Sequence, residues 1–72
     1  MNYTFDYTKG LLTISENGRV IFQEDFFYEP VNDRAQKIMD AIFEYTIIPE
    51  DRLEEVLDEI FNFGYISVDL WK

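Results

Sequence analysis

The sequence predicts an α+β domain in which one antiparallel β-sheet is covered on one face by a pair of helices, in two layers. Alternating polar and apolar residues occupy the first third of the chain and return at its end, while helical spacing of apolar residues occupies the middle. Turn residues separate the alternating segments at short intervals, which is typical of hairpins. The predicted order is β-β-β-α-α-β, within a single compact domain of residues 1–72.

The first two strands follow directly from the period-2 pattern. Asn2–Thr8 alternates strictly, so one face of this strand is predicted to be aromatic and the other polar. The aromatic face carries Tyr3, Phe5 and Tyr7. Lys9 and Gly10 then indicate a turn, and residues 11–15 are predicted to form the second strand.

The pair Asn17-Gly18 predicts a two-residue type I′ turn, because both residues tolerate a positive φ. A third strand is expected over residues 19–27, which completes an antiparallel meander. Alternation returns over residues 65–71, where a fourth strand is predicted to pair with the first. Its inward face carries Ile66, Val68 and Leu70.

A first helix is predicted from about Asn32, after Pro30 ends the strand pattern. Asp33 and Gln36 are placed to act as a capping pair. The residues that fall at helical spacing are Ala35, Ile38, Met39, Ile42 and Thr46.

A second helix is predicted with Pro49 in its first position, where the missing N–H costs nothing. Glu50 and Asp51 then place negative charge at the positive end of the helix dipole. Gly64 is expected to terminate this helix. Its apolar stripe consists of Leu53, Val56, Leu57, Ile60 and Phe61.

The composition restricts both the source of stability and the class of partner. The chain has no Cys and no His, so neither disulfides nor the usual zinc ligands are available, and packing of its 47% hydrophobic residues must supply the stability. Fifteen acidic residues against six basic ones give a net charge of −9. Such a chain should repel free nucleic acid and anionic membranes and attract basic proteins.

The chain is expected to be cytoplasmic. Its start lacks the basic and apolar regions of a signal peptide, and no apolar run approaches the roughly 18 residues needed to span a bilayer.

The negative charge is concentrated on the second predicted helix, where six carboxylates stand against Arg52 alone. Residues three and four apart are neighbours on a helix, about 5–6 Å apart, so Asp51, Glu54, Glu55 and Asp58 share one face, with Glu50 and Glu59 toward its flanks. That spacing is comparable to the spacing of phosphates along a nucleic-acid strand. We call this set the acidic ridge: Glu50, Asp51, Glu54, Glu55, Asp58 and Glu59. The alternative interpretation is an ordinary solvated helix face whose first-turn acids suit the dipole.

Two further regions are candidate binding surfaces. Glu24, Asp25 and Glu29 surround an aromatic run of residues 26–28, which indicates either an edge strand protected from pairing by charge or a protein interface. Trp71 should point outward if the other face of the last strand is buried, which makes it a candidate anchor for a partner. The alternative is that Trp71 packs against its own domain.

Enzymatic function is disfavoured by the residue inventory. Without His and Cys, a Ser nucleophile has no usual base partner, and Ser15 and Ser67 lie in strand patterns. The three glycines are isolated, so no phosphate-binding loop is present, and the segment from Glu50 lacks the central glycine of a calcium-binding loop. Carboxylate pairs are plentiful, but so small a domain offers little cleft in which to raise a carboxyl pKa. We expect no catalytic residue, cofactor or metal.

In size, charge and aromatic content, over its whole length, the chain resembles the small acidic proteins with which phages oppose host defences, the anti-CRISPR and anti-restriction DNA mimics. The resemblance implies a stoichiometric inhibitor in the host cytosol that docks in the Lys/Arg-rich nucleic-acid channel of a nuclease. The acidic ridge would make the contacts, extended by Asp40 and Glu44 of the first helix. One departure is that the charge lies mainly on one helix, whereas a mimic of a long duplex needs a broader surface.

A second functional class fits the same features. An immunity protein or antitoxin that neutralises a basic toxin, or an adaptor subunit, would also use an acidic ridge with an aromatic anchor. Competition discriminates between the two, because a DNA mimic and DNA must exclude each other from the partner.

Overall fold

A computed structural model describes residues 1–70 and confirms the α+β fold with the order β-β-β-α-α-β. The strands are β1 (Asn2–Thr8), β2 (Leu11–Glu16), β3 (Arg19–Asp25) and β4 (Tyr65–Asp69), and the helices are α1 (Val31–Tyr45) and α2 (Glu50–Phe63). The strands form one antiparallel sheet in the order β3-β2-β1-β4, so β4 lies beside β1 as predicted.

Both hairpin turns have the backbone that type I′ geometry requires. Lys9 and Gly10 have φ values of 53° and 86°, and Asn17 and Gly18 have 51° and 84°. The second turn is also tied to β1, because the backbone N–H of Asn2 donates to Asn17 Oδ1 at 2.9 Å.

The strand β3 is shorter than predicted and irregular. It ends at Asp25 because the Asp25 carboxylate accepts the backbone N–H of Phe27 at 2.8 Å, which turns the chain out of the sheet. A bulge where β3 pairs with Ile14 and Ser15 places both Ile21 and Phe22 against the core, although they are adjacent in sequence.

The predicted capping pair of α1 is wrong. The helix begins at Val31, with Pro30 in the capping position, and no side chain caps it. Asp33 therefore lies inside the first turn, where its charge suits the dipole, and Gln36 donates to Asp40 instead, at 2.9 Å.

The C-terminus of α1 also differs from the predicted helical spacing. Thr46 has the extended backbone of a capping residue, and its hydroxyl donates to the Ile42 carbonyl at 2.6 Å. Of the predicted helical residues, Ile38 and Ile42 are buried, whereas Ala35 is exposed.

Pro49 precedes α2 instead of occupying its first position. Its ψ of 145° is extended, while its carbonyl accepts the N–H of Arg52 at 2.9 Å. Gly64 ends the helix as predicted, in the left-handed conformation with φ 75°. Phe61 is 46% exposed at the margin of the apolar stripe, where its ring meets Tyr7 edge-on at 5.7 Å.

One hydrophobic core lies between the sheet and the two helices. The buried hydrophobic residues are Tyr3, Phe5, Leu12, Ile14, Phe26, Ile38, Ala41, Ile42, Ile48, Leu53, Val56, Ile60 and Val68. The predicted inward faces of β1 and β4 are confirmed, with Tyr7, Ile66 and Leu70 partly buried against this cluster. Burial raises the pKa of the Tyr3 hydroxyl; a backbone hydrogen bond at Ile47 opposes the rise and the nearby Glu16 carboxylate adds to it.

Candidate functional site

The acidic ridge faces solvent because the opposite side of α2 is anchored in the core. Leu53, Val56 and Ile60 are 4% exposed or less, which sets the rotation of the helix about its axis. Five of the six ridge residues are then exposed, and Glu59 is half-buried at the margin. The helical spacing predicted from the sequence therefore places the ridge residues on one continuous surface.

The ridge is not neutralised by the rest of the chain that the structure describes. Within residues 1–70, the ion pair that forms joins Lys37 to Glu29 at 2.9 Å, and no basic side chain bridges to a ridge carboxylate. The hydrogen bond to the Glu29 carboxylate raises the pKa of Lys37, and this pair joins α1 to the loop that precedes it, not to α2. The ridge carboxylates therefore form one negatively charged surface on α2.

Repulsion between the like charges of the ridge should lower the free energy of unfolding of the domain. Reversing the charge of one ridge residue measures this effect. Asp58 has Glu55 three residues and Glu54 four residues before it, and each such like-charged pair costs about 0.2–0.5 kcal/mol. Asp58→Lys turns both repulsions into attractions with the favoured orientation, acid before base. We expect the free energy of unfolding to rise by about 1 kcal/mol at low salt.

Urea denaturation measures this gain, and Asp58→Ala is the matched control, since it removes the repulsion without adding attraction and should give about half the gain. In 1 M salt, where the screening length is about 3 Å, the difference between the variants should largely disappear. A gain that does not depend on salt would show that packing, and not charge, is responsible.

The structure brings Asp40 to the ridge but places Glu44 elsewhere. A groove of about 420 Å³ runs between the two helices, and Asp40 of α1 lines it together with Glu50 and Glu54 of α2. Glu44 lines a different groove, of about 390 Å³ between α1 and β3, which also contains Glu24 and Lys37. Asp40 lines both grooves and so connects the ridge with the groove beside β3, whereas Glu44 lines only the groove beside β3.

The apolar lining of the groove between the helices was missed by the sequence analysis. Four side chains form it, and we call the site the α1–α2 groove. They are Met39, Phe43, Leu53 and Leu57. Phe43 is 65% exposed although it is a large aromatic residue, and Met39 and Leu57 are half-buried. The sequence did contain an indication of this lining. Residues 39 and 43 on α1 are four positions apart, as are residues 53 and 57 on α2, and residues four apart lie on the same face of a helix.

The aromatic run beside β3 forms a loop held in place by hydrogen bonds. Phe26 is buried, whereas the rings of Phe27 and Tyr28 project into solvent, with Tyr28 90% exposed. Arg34 of α1 donates to the backbone carbonyls of Glu29 at 3.0 Å and Phe27 at 2.6 Å. Phe27 and Tyr28 lie after the end of β3 and form an ordered aromatic surface. Glu24 and Asp25 belong to β3 itself, which is an edge strand of the sheet, so their charge is also placed to discourage pairing at that edge.

The last candidate anchor, Trp71, lies outside the described residues. Tyr65, the exposed aromatic residue on the outward face of β4, is 54% accessible to solvent. In residues 1–70, no cluster of three or more carboxylates has the arrangement needed to hold a metal ion. Across the same residues, neither helix has the length and apolar character to cross a bilayer.

Comparison of the chain with protein-family models, with curated proteins and with solved structures found no match. Function is therefore inferred from the geometry and charge of the chain itself.

Proposed function

We propose that this chain is a non-enzymatic binding protein whose acidic ridge occupies the Lys/Arg-rich surface of a nucleic-acid-binding protein, as a DNA-mimic inhibitor does. The observation that carries the proposal is the unneutralised ridge on α2, exposed to solvent while the other side of the helix is buried. In the proposed setting, the cytosol of a phage-infected host, the target is a defence nuclease of the CRISPR or restriction type.

The dimensions of α2 support mimicry of a short stretch of backbone. The ridge runs from Glu50 to Glu59, which is about 13 Å along the helix axis at 1.5 Å per residue. Duplex DNA advances 3.4 Å per base pair along each strand, so the ridge corresponds to about four base pairs. A ridge of this length fits one segment of a basic channel. Asp40 of the neighbouring helix widens the ridge by one carboxylate.

The net charge of the chain should increase both the rate at which a basic partner associates with it and the affinity of the complex. A net charge of −9 on a domain of 72 residues attracts a positively charged surface over distances of about a Debye length, roughly 8 Å at physiological salt. Binding of this kind accelerates association and weakens steeply as salt rises.

The test is a charge reversal with a matched control. The variant Glu54→Lys, Glu55→Lys, Asp58→Lys and Glu59→Lys should keep its circular dichroism spectrum and lose binding to the partner that the wild-type chain captures from its native host. The control reverses four carboxylates outside the ridge and outside the surface around residues 24–29, one each on β1, β2, α1 and β4: Asp6, Glu16, Asp33 and Asp69. Each reversal adds two positive charges, so both variants change from −9 to −1.

Retention of the partner by the ridge variant would contradict the proposal, and equal loss in both variants would show that net charge acts without a specific site. Wild-type binding measured against rising salt should weaken steeply in parallel.

The exposed aromatic loop favours a second candidate, an immunity-like or adaptor module that binds a basic protein without imitating DNA. Labelled duplex DNA separates the two functions once the partner is in hand. A DNA mimic and the duplex should exclude each other from the partner, whereas an adaptor should allow a ternary complex.

A further inference from the structure

We propose that the α1–α2 groove receives a basic amphipathic helix of the partner, whose apolar face enters the groove while its Lys and Arg residues meet the acidic rim and the ridge. The inference rests on the proposed function and specifies the element that docks. The groove would be a second contact site beside the ridge, at which the partner buries apolar side chains in addition to forming charged contacts.

The floor of the groove is apolar and reachable from solvent. Leu53 is 4% exposed and forms the base, while Phe43 is 65% exposed on the α1 side. Met39 and Leu57 complete the lining, and methionine adapts its shape readily to different occupants. An exposed Phe beside a groove of about 420 Å³ is an apolar surface that a partner side chain can cover.

The rim selects the charge of the occupant. Asp40, Glu50 and Glu54 surround the apolar floor, so an apolar segment flanked by cations is attracted and one flanked by acids is repelled. The same argument disfavours a second copy of this chain, because two bodies of charge −9 would bring their ridges together.

A helix fits this site better than an extended segment. The two floor pairs, residues 39 with 43 and 53 with 57, each extend about 6 Å along their helix axis, at 1.5 Å per residue. That distance matches the spacing of apolar side chains three and four apart on a third helix lying over the pair. Glu54 belongs both to the rim and to the ridge, so the cationic side of such a helix would extend over α2.

The first experiment titrates the isotopically labelled chain with synthetic helical peptides and follows chemical shifts by NMR. One peptide carries Leu on one face and Lys on the other, a second replaces every Leu with Ala at the same charge, and a third replaces every Lys with Glu. We expect the Lys/Leu peptide to bind, with its largest shifts at Met39, Phe43, Leu53 and Leu57. Equal binding of the Lys/Ala peptide would overturn the apolar part of the inference, and equal binding of the Glu/Leu peptide would overturn the role of the rim.

The second experiment compares two exposed phenylalanines. Phe43→Ala should weaken binding of the Lys/Leu peptide about tenfold, since an anchor truncation at an interface commonly costs more than 1 kcal/mol. Phe63→Ala is the control, because Phe63 is 75% exposed on the neighbouring helix and does not line the groove; it should change affinity less than about twofold. Equal effects of the two substitutions would overturn the inference, as would self-association that Phe43→Ala abolishes in sedimentation equilibrium.

The native partner distinguishes this inference from the proposed function. Phe43→Ala leaves every ridge carboxylate in place, so its effect is independent of ridge charge. Partner binding that survives Phe43→Ala but is lost on ridge reversal supports the ridge and refutes the groove. Binding that survives both changes refutes both.

Discussion

Replacing Gly10 with Ala should destabilise the domain by about 3 kcal/mol. Gly10 has a φ of 86°, which costs an L-residue about 1–2 kcal/mol, and a Cβ at this position would lie 2.8 Å from Cα and Cβ of Phe27. Because Gly10 is buried and its carbonyl accepts the N–H of Phe26 at 2.7 Å, the aromatic loop cannot move away without breaking that bond. Urea denaturation gives the change in the free energy of unfolding.

Gly18 provides the matched control for this prediction. Its φ of 84° is nearly the same, yet a Cβ would meet nothing within 4 Å, so Gly18→Ala should cost only the backbone strain, about 1–2 kcal/mol. The difference between the two variants isolates the contact of Gly10 with Phe27. If both lose the same stability, the aromatic loop yields to the extra atom and is less firmly held than its hydrogen bonds indicate.

Phe5→Ala should have an equally large or larger effect, a loss of about 3–5 kcal/mol. The Phe5 side chain is fully buried in β1, between β2 and β4 and beneath the helices, so its removal leaves a cavity that its neighbours cannot easily fill. A domain with a total stability of roughly 5–15 kcal/mol would lose a large part of it. Thermal and urea unfolding should both shift to milder conditions.

The control for this substitution is Phe63→Ala on α2. The Phe63 ring is 75% exposed, and its loss should change the free energy of unfolding by less than about 0.5 kcal/mol. Similar losses for the two variants would contradict the assignment of the inward face of β1, on which the two-layer architecture depends.

The strands were predictable because their signals are local. Alternation in β1 and β4 needs no knowledge of the rest of the chain, and the turns at Gly10 and Gly18 follow from the backbone freedom of glycine. Pairing of β4 with β1 was also predictable, since the meander leaves β1 and β3 at its edges. The bulge opposite Ile14 and Ser15 was not predictable from the strand pattern. Strict alternation would place Ile21 and Phe22 on opposite faces, whereas packing against the core places both on the same face.

The helix starts show why boundaries are harder to predict than helices. Proline has nearly the same φ before a helix and in its first position, so the sequence does not distinguish the two, and Pro49 was placed one residue too far into α2. The capping pair predicted for Asp33 and Gln36 requires Asp33 in the capping position, whereas Pro30 occupies that position three residues earlier. In each case the error concerns one turn, and the face that the helix buries is unaffected.

The sequence by itself determined the acidic ridge, because helical spacing alone assembles the carboxylates of α2 on one face and the apolar stripe turns that face outward. Only the tertiary structure decided which surfaces border the ridge. Packing of α1 beside α2 brings Asp40 to Glu50 and Glu54 and sends Glu44 toward β3, and it creates the apolar floor at Phe43. The reason is that sequence periodicity describes one helix at a time, whereas a groove depends on how two helices pack against each other and against the same sheet.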